Sequence, residues 1–252
     1  MIISLILGVL ALIILGLMIK YIFDKTFILK AFKKGNIIVF GNKGKGKDLV
    51  FQKVIKWRKK EKYLSNLNYG WNYENIALKS IDINNDYNNF ILESINIANK
   101  QDYENKDIYI SDTGVYLPSQ HDSTLHKTYK SFPIFYALSR HLYHNNVHTN
   151  VQNIEREWKA LREIGDGFIW TRKTIKIFGY LITFCVYYDK YQSAVNKLLP
   201  MKKPKMIEGR SVYEQYKATN GTIKKFFIIN RIKTNKYDTR AFHEKVFGYR
   251  AK

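Results

Sequence analysis

The chain has a single cysteine, no acidic side chain before Asp24 and no lysine or arginine before Lys20. One cysteine, Cys185, inside the apolar run "YLITFCVYY", excludes an internal disulfide framework and reads as a buried, inert thiol. His141, His144 and His148 stand in no metal-ligand spacing with a carboxylate or cysteine, so no zinc site is expected. The apolar run that opens the chain has no basic residue before it and no small-x-small site after it, which sets it apart from a cleaved signal peptide. An apolar fraction of 46% in 252 residues excludes a disordered chain and allows one large domain or two small ones.

From Met1 to Ile19 only Ser4 interrupts the apolar run, a length that suits one crossing of a hydrocarbon core about 30 Å thick. Lys20, Lys25, Lys30, Lys33 and Lys34 follow it. The excess of lysine after the run places the rest of the chain in the cytoplasm, anchored by a single pass in the inner (cytoplasmic) membrane. The later run Ile177–Tyr188 is too short to return and reads as a buried strand pair. The expected organisation is an anchor (1–23), a basic juxtamembrane linker (24–34), a nucleotide-binding domain (35–188) and a basic C-terminal region (189–252). The net charge of +21 is uneven: residues 20–62 carry 14 basic and 3 acidic side chains, and residues 189–252 carry 16 and 5. Such a field attracts phosphate, whether of nucleotide, nucleic acid or lipid, and equally suits a merely soluble lysine-rich surface.

"NIIVFGNKGKGKDLVFQKVIKW" reads as a short buried strand, a glycine-rich turn and a helix. Gly41, Asn42, Lys43, Gly44, Lys45, Gly46, Lys47, Asp48 and Leu49 occupy the places of a phosphate-binding loop, in which backbone N–H groups converge on phosphate and the lysine reaches the terminal phosphates. A glycine-rich surface turn has the same spacing. Asp48 stands where Ser or Thr is usual, and as a carboxylate it is itself a candidate Mg²⁺ ligand. A second acid is needed at the end of a neighbouring strand; in "DIYISDTG" Asp112 is the candidate, and Thr113 follows it where many hydrolases have an acid. "SFPIFYALSRHLYHNN" reads as a helix carrying Arg140, Gln152 closes the strand "VHTNVQ", and "NIEREWKALREI" reads as a helix capped by Asn153, with Glu155, Glu157 and Arg162 on its polar face. A glutamine past a strand can sense a γ-phosphate and an arginine can reach a neighbouring subunit's nucleotide; a solvated cap and a solvated face are the plain alternatives. Residues 165–188 read as antiparallel strands broken at Asp166-Gly167 and Phe178-Gly179, and the stretch that follows, 201–225, as a basic linker with Pro200 and Pro204. The basic and aromatic tail from Phe226 to Lys252 has a composition that can stack on single-stranded nucleic acid.

Taken together, "GNKGKGKD", "YISDTG", "ALSRHLYHNN", "VHTNVQNIEREWKALRE" and "VYEQYKA" resemble the zonula occludens toxin-like, gene I-type morphogenesis ATPases of filamentous phages over about residues 35–217. The resemblance implies an α/β fold of the P-loop NTPase type, a mainly parallel sheet flanked by helices with antiparallel strands appended. It further implies ATP and Mg²⁺ as cofactors, and a role in assembling and extruding a filamentous virion. Carried over, Lys47 contacts phosphate, Asp112 is the acid on the metal side with Asp48 opposite it, and Arg140, Gln152 and Arg162 are sensor or trans-acting groups. The implied partners are the membrane, further copies in a homo-oligomer such as a ring, coat proteins, and single-stranded DNA or its binding protein. Three departures stand out: Asp48, Thr113, and an anchor that precedes the ATPase domain. A DNA-translocating packaging or conjugation ATPase and a nucleotide-binding scaffold without turnover are the competing functions.

Overall fold

The structure, a computed structural model, describes residues 2–67, 69–70, 73–75, 105–113, 136–137, 139–141, 144–157, 159–191, 194, 206–207, 210–211 and 222–231. Of the expected basic linker, 201–225, the described residues are 206–207, 210–211 and 222–225, and all but Thr222 are in strands. Pro200, Pro204, the segment "VYEQYKA" and the tail beyond Arg231 lie outside the described residues, as does much of the expected helix around Arg140.

The first element is one uninterrupted helix, α1 (Ile2–Lys34). Its N-terminal part is apolar and exposed, with Leu5, Leu12, Ile13, Met18 and Phe23 each at least half open, and by length and composition it can cross a membrane. The stretch expected as a linker, 24–34, is instead the continuation of this helix. The reason lies in Ile28 and Phe32, four residues apart on one face, both fully buried among the rings and branched side chains of the domain. Asn146 and Arg140 take the last carbonyls of α1: the Asn146 amide donates to Phe32 O at 3.3 Å and the Arg140 guanidinium to Lys34 O at 2.6 Å.

An eight-stranded sheet follows. Its strands in chain order are β1 (Ile37–Phe40), β2 (Tyr63–Ser65), β3 (Tyr73–Asn75), β4 (Asp107–Ile110), β5 (Val147–Val151), β6 (Gly167–Ile177), β7 (Tyr180–Tyr188) and, after a separate two-stranded ribbon β8 (Met206–Ile207) and β9 (Arg210–Ser211), β10 (Ile223–Arg231). In space the order is β10-β7-β6-β1-β5-β4-β2-β3. β3, β2, β4, β5, β1 and β6 run parallel, while β6–β7 and β7–β10 are antiparallel. The hairpin expected at Phe178-Gly179 is present. β10 draws a strand from the region expected to be a separate basic tail, and Phe226 and Ile228 are buried in the core, so Phe226 is not open to stacking on a base.

β1 is central and buried on both sides, as its unbroken apolar sequence requires. Ile37 and Val39 face the cluster built from α1, α2 (Lys47–Trp57) and Tyr109, while Ile38 and Phe40 face a second cluster with Ile154, Phe168 and Tyr188. After β5 the expected single helix is two pieces, a 3₁₀ turn (Ile154–Arg156) and α3 (Lys159–Ile164), joined through Glu157 in an extended conformation. Asn153 caps the turn as expected, its side chain accepting from the Glu155 N–H at 3.2 Å. Glu157 and Arg162, expected on a solvated face, are buried. Glu157 accepts from the Thr113 hydroxyl, and that buried contact turns the chain out of helix there.

Candidate nucleotide site

The site is the turn between β1 and α2, at the edge where the parallel strands end. Gly41 and Gly46 are fixed by two independent demands. Both have positive φ (155° and 84°), and a Cβ on Gly41 would meet the Thr171 hydroxyl at 2.2 Å, one on Gly46 the Thr174 hydroxyl at 2.5 Å. The turn is braced from behind: Thr171 donates to Phe40 O at 3.2 Å, Thr174 to Lys45 O at 3.0 Å, and the Thr174 and Thr183 hydroxyls lie 2.9 Å apart. β6 and β7 therefore hold the back of the loop with a row of threonines.

α2 begins directly after Gly46 with no side-chain cap on its first N–H groups, which leaves them and the helix dipole directed at the loop's concave side. Lys47, the first residue of α2, is 6% exposed and makes no hydrogen bond or ion pair among the described residues. A lysine drawn into the fold this far is ordinarily paired. Uncapped helix N–H groups with an unpaired ammonium on a largely buried lysine are the donor set that a polyphosphate requires.

Asp48 is held by three donors that all converge on one oxygen. The Ser111 hydroxyl donates to its Oδ1 at 2.7 Å, the Asn150 amide at 2.8 Å and the Tyr69 hydroxyl at 2.9 Å. Its Oδ2 takes no hydrogen bond among the described residues. Ser111 is clamped in turn: Asn66 accepts from its N–H at 2.8 Å and donates to its carbonyl at 3.0 Å. Asn150 also accepts from the Asp112 N–H at 2.8 Å.

The strand-end side chain bonded to the first turn of α2 is the Ser111 hydroxyl, one residue before the expected Asp112. Asp112 follows with φ 53°, a left-handed conformation that aspartate tolerates, and joins the cluster through its backbone N–H on Asn150. In the usual arrangement the loop supplies a hydroxyl and the strand end a carboxylate to Mg²⁺. Here the loop carries a carboxylate, Asp48, and the strand end presents to it the Ser111 hydroxyl, followed by Asp112. The set fits a divalent cation: a half-buried carboxylate with one oxygen saturated by donors presents the other in a fixed direction.

Of the other expected residues, Gln152 lies at this edge, exposed, one residue past Val151, whose carbonyl accepts from the Gly41 N–H at 3.3 Å. Arg140 and Arg162 are not brought to the loop. Arg140 sits at the opposite edge on the end of α1, and Arg162 donates to the Tyr191 hydroxyl with its guanidinium 4.9 Å from that ring, near the start of β6. Thr113 is fully buried and donates to Glu157. Ser111, Asn150 and Tyr69 were not singled out by the sequence, although Ser111 and Asn150 lie in the segments that carry the resemblance; the signal available was a hydroxyl closing the apolar run Ile108–Ile110.

No family model matches the chain, and no curated protein does. Among solved structures it is similar to the N-terminal domain of zonular occludens toxin from Neisseria meningitidis, at 11% identity and a TM-score of 0.43, over 83% of this chain and 97% of that one. It is similar to the genome packaging NTPase of Sulfolobus turreted icosahedral virus 2 in complex with AMP, at 11% identity and a TM-score of 0.42, over 81% of this chain and 95% of that one. ATPases 2 and 3 of EssC from Geobacillus thermodenitrificans are similar at 12% identity and a TM-score of 0.43, over 86% of this chain and 43% of that one.

Proposed function

We propose that the chain is a membrane-anchored, P-loop NTPase-like protein that binds ATP with Mg²⁺ and serves in assembling and extruding a filamentous phage virion. The observation that carries the nucleotide reading is the left-handed glycine turn opening on an uncapped helix, with Lys47 largely buried and unpaired. Lys47 and the first N–H groups of α2 would hold the phosphates, and Asp48 Oδ2 would ligate the metal, with Ser111, Asn150 and Tyr69 keeping that carboxylate in place. Bound there, Mg²⁺ would neutralise charge between the β- and γ-phosphates. The virion role is supported by the sequence resemblance of the loop, the strand end and the "VHTNVQNIEREWKALRE" segment. The anchor is supported by the exposed apolar part of α1.

A second reading, a nucleotide-binding scaffold with little turnover, is favoured by one specific observation. Thr113, next to Asp112, is buried and engaged with Glu157, so no acid follows Asp112 to orient an attacking water. Sites formed between copies would need an arginine from a neighbour, and Arg140, exposed at the opposite edge, is the candidate in a ring or another homo-oligomer.

Equilibrium binding of ATP to the full chain in detergent or nanodiscs, with Mg²⁺ and with EDTA, tests the reading. Binding that needs both Lys47 and the metal supports it. Affinity indifferent to Lys47→Ala reduces the loop to a surface turn. Release of phosphate, measured with and without single-stranded DNA, separates the assembly ATPase from the DNA-translocating one and from the scaffold.

A further inference from the structure

α1 does not stand clear of the domain before it enters its apolar run. Ile14, Met18 and Ile22 form one wall of a groove of about 480 Å³ whose other wall is Ile182, Phe184 and Ile229 from β7 and β10. In a chain anchored by α1, the strands beside residues 14–22 lie against the membrane where the helix enters it.

The strands are built for that place. Phe178, at the tip of the β6–β7 turn, is 97% exposed, and Ile177, Tyr180 and Phe184 are each about 40% exposed. β6, β7 and β10 contain no acidic residue, while Arg172, Lys173 and Lys176 on β6 and Lys225 and Arg231 on β10 are exposed. Apolar tips with an all-basic rim complement the anionic headgroups and acyl chains of a cytoplasmic leaflet. Outer-edge carbonyls of β10, costly to leave unpaired beside lipid, are met by lysines: Lys20 donates to Lys225 O and Lys53 to Ile229 O. The polar level returns at Asp24, which is 3% exposed, accepts from Lys20 and pairs with Lys224 at 3.2 Å.

We propose that the β6–β7 turn and the groove behind it form a second membrane element, which enters the cytoplasmic leaflet beside α1, the groove taking lipid acyl chains and the basic rim anionic phospholipid headgroups. This rests on the reading of α1 as an anchor. It commits the exposed aromatic tip to lipid, not to a second copy of the chain or a protein partner.

The buried thiol of Cys185 leaves an introduced cysteine as the labelling site. The full chain carrying Phe178→Cys, Leu12→Cys or Lys60→Cys is labelled with an environment-sensitive dye and reconstituted in phosphatidylethanolamine–phosphatidylglycerol vesicles with doxyl groups at shallow or deep chain positions. The label at 178 should be quenched several-fold more by shallow doxyl lipid than the label at 60, and the label at 12 should be quenched by deep doxyl lipid. Ile177→Cys repeats the measurement one residue earlier in case the turn rejects the first substitution. Adding Lys173→Glu and Lys176→Glu should weaken quenching at 178 in these vesicles and leave quenching at 12 unchanged. Quenching at 12 with none at 177 or 178 overturns the proposal and leaves the anchor standing. No quenching at either place overturns both. A label at 178 shielded from aqueous iodide yet untouched by doxyl lipid means that protein covers the tip, and the lipid assignment is wrong.

Discussion

The two edges of the parallel sheet carry buried polar groups in similar number but to opposite ends. At the edge where the strands begin, Arg58, Asp107, Glu61 and His148 form one network. Arg58 donates to both Asp107 and Glu61, Asp107 Oδ1 accepts from the Asn146 N–H at 2.9 Å, and His148 accepts from the Ile37 N–H at 3.2 Å through Nδ1, which leaves the proton on Nε2, 3.5 Å from Asp107. At the edge where the strands end, Lys47 has no partner among the described residues and Asp48 keeps one oxygen open. A network of paired charges holds elements together; an unpaired lysine beside a half-buried carboxylate with a free oxygen is open to something that arrives from outside. Unfinished buried polarity does not by itself mark a site, since Asn146 Oδ1 and the Gln52 amide are also buried without partners among the described residues.

The sharpest way to break this contrast is to open the closed edge. Asp107→Ala strips the carboxylate from a guanidinium whose side chain is 12% exposed, and the loss of one partner of a buried pair costs about 3–5 kcal/mol. Urea unfolding should show that loss, while the folded fraction binds nucleotide as before. Lys47→Ala should do the reverse. Removing a charge-assisted contact to phosphate, worth about 1.5–3 kcal/mol, lowers ATP affinity roughly 10- to 100-fold and leaves the unfolding midpoint close to that of the unaltered protein.

A smaller effect sharpens the contact at the strand end. Ser111→Ala removes one of three donors from Asp48, about 1 kcal/mol, so Mg²⁺-dependent affinity should fall about fivefold with metal-free affinity nearly unchanged. Asp48→Thr alone should flatten the dependence on Mg²⁺, and the double variant Asp48→Thr/Ser111→Asp, which restores the usual placement of hydroxyl and carboxylate, should recover it by the same calorimetric titration. Failure of the double variant to recover would mean that Ser111 is not the metal-side position.

The smallest effect is one of pH. Burial holds the His148 imidazole below its ordinary value, with Asp107 only partly offsetting it, so the folded protein keeps it neutral where the unfolded chain takes up a proton. Its contribution is complete above pH 6.5 and is lost as pH falls from there toward the folded value. For Asp107 burial works the other way, but the contact with His148 and the Arg58 charge outweigh it and hold the carboxyl well below the usual carboxylate range. Its contribution is present above about pH 4 and is lost on further acidification. Thermal melts should thus weaken in two acid stages, and His148→Asn should remove the first.

The parts of this fold legible in the sequence are those written in adjacent residues: strand, glycine turn and helix from Asn36 to Trp57, the Phe178-Gly179 hairpin, the Asn153 cap, and the apolar run of α1. The partners of Asp48 were not legible, because Tyr69, Ser111 and Asn150 lie 21, 63 and 102 residues away and meet only when β4 and β5 align beside β1. The contact of Ser111 with Asp48, one residue before the acid the sequence points to, sits beside a left-handed backbone at Asp112 that no composition reveals. The helical course of residues 24–34 was masked by lysines; the signal that could have shown it is the spacing of Ile28 and Phe32. Glu157 and Arg162 read as surface because their types usually are, and tertiary contacts with Thr113 and Tyr191 overrode that preference.

Mechanically, α1 is a cantilever. It is clamped from Asp24 to Lys34, about 16 Å of helix, and its apolar run projects beyond the clamp. At the root of the clamp, the Phe32 ring lies 4.7 Å from His148 and is stacked 6.3 Å from Tyr109. Each of those residues is two positions before a residue that grips Asp48, His148 before Asn150 on β5 and Tyr109 before Ser111 at the end of β4. Side chains two apart on a strand share a face, so the root of the lever bears on the same side of the same two strands that set the carboxylate. A displacement of α1 that moves Phe32 therefore meets, on one side of the sheet, the two strands that aim Asp48.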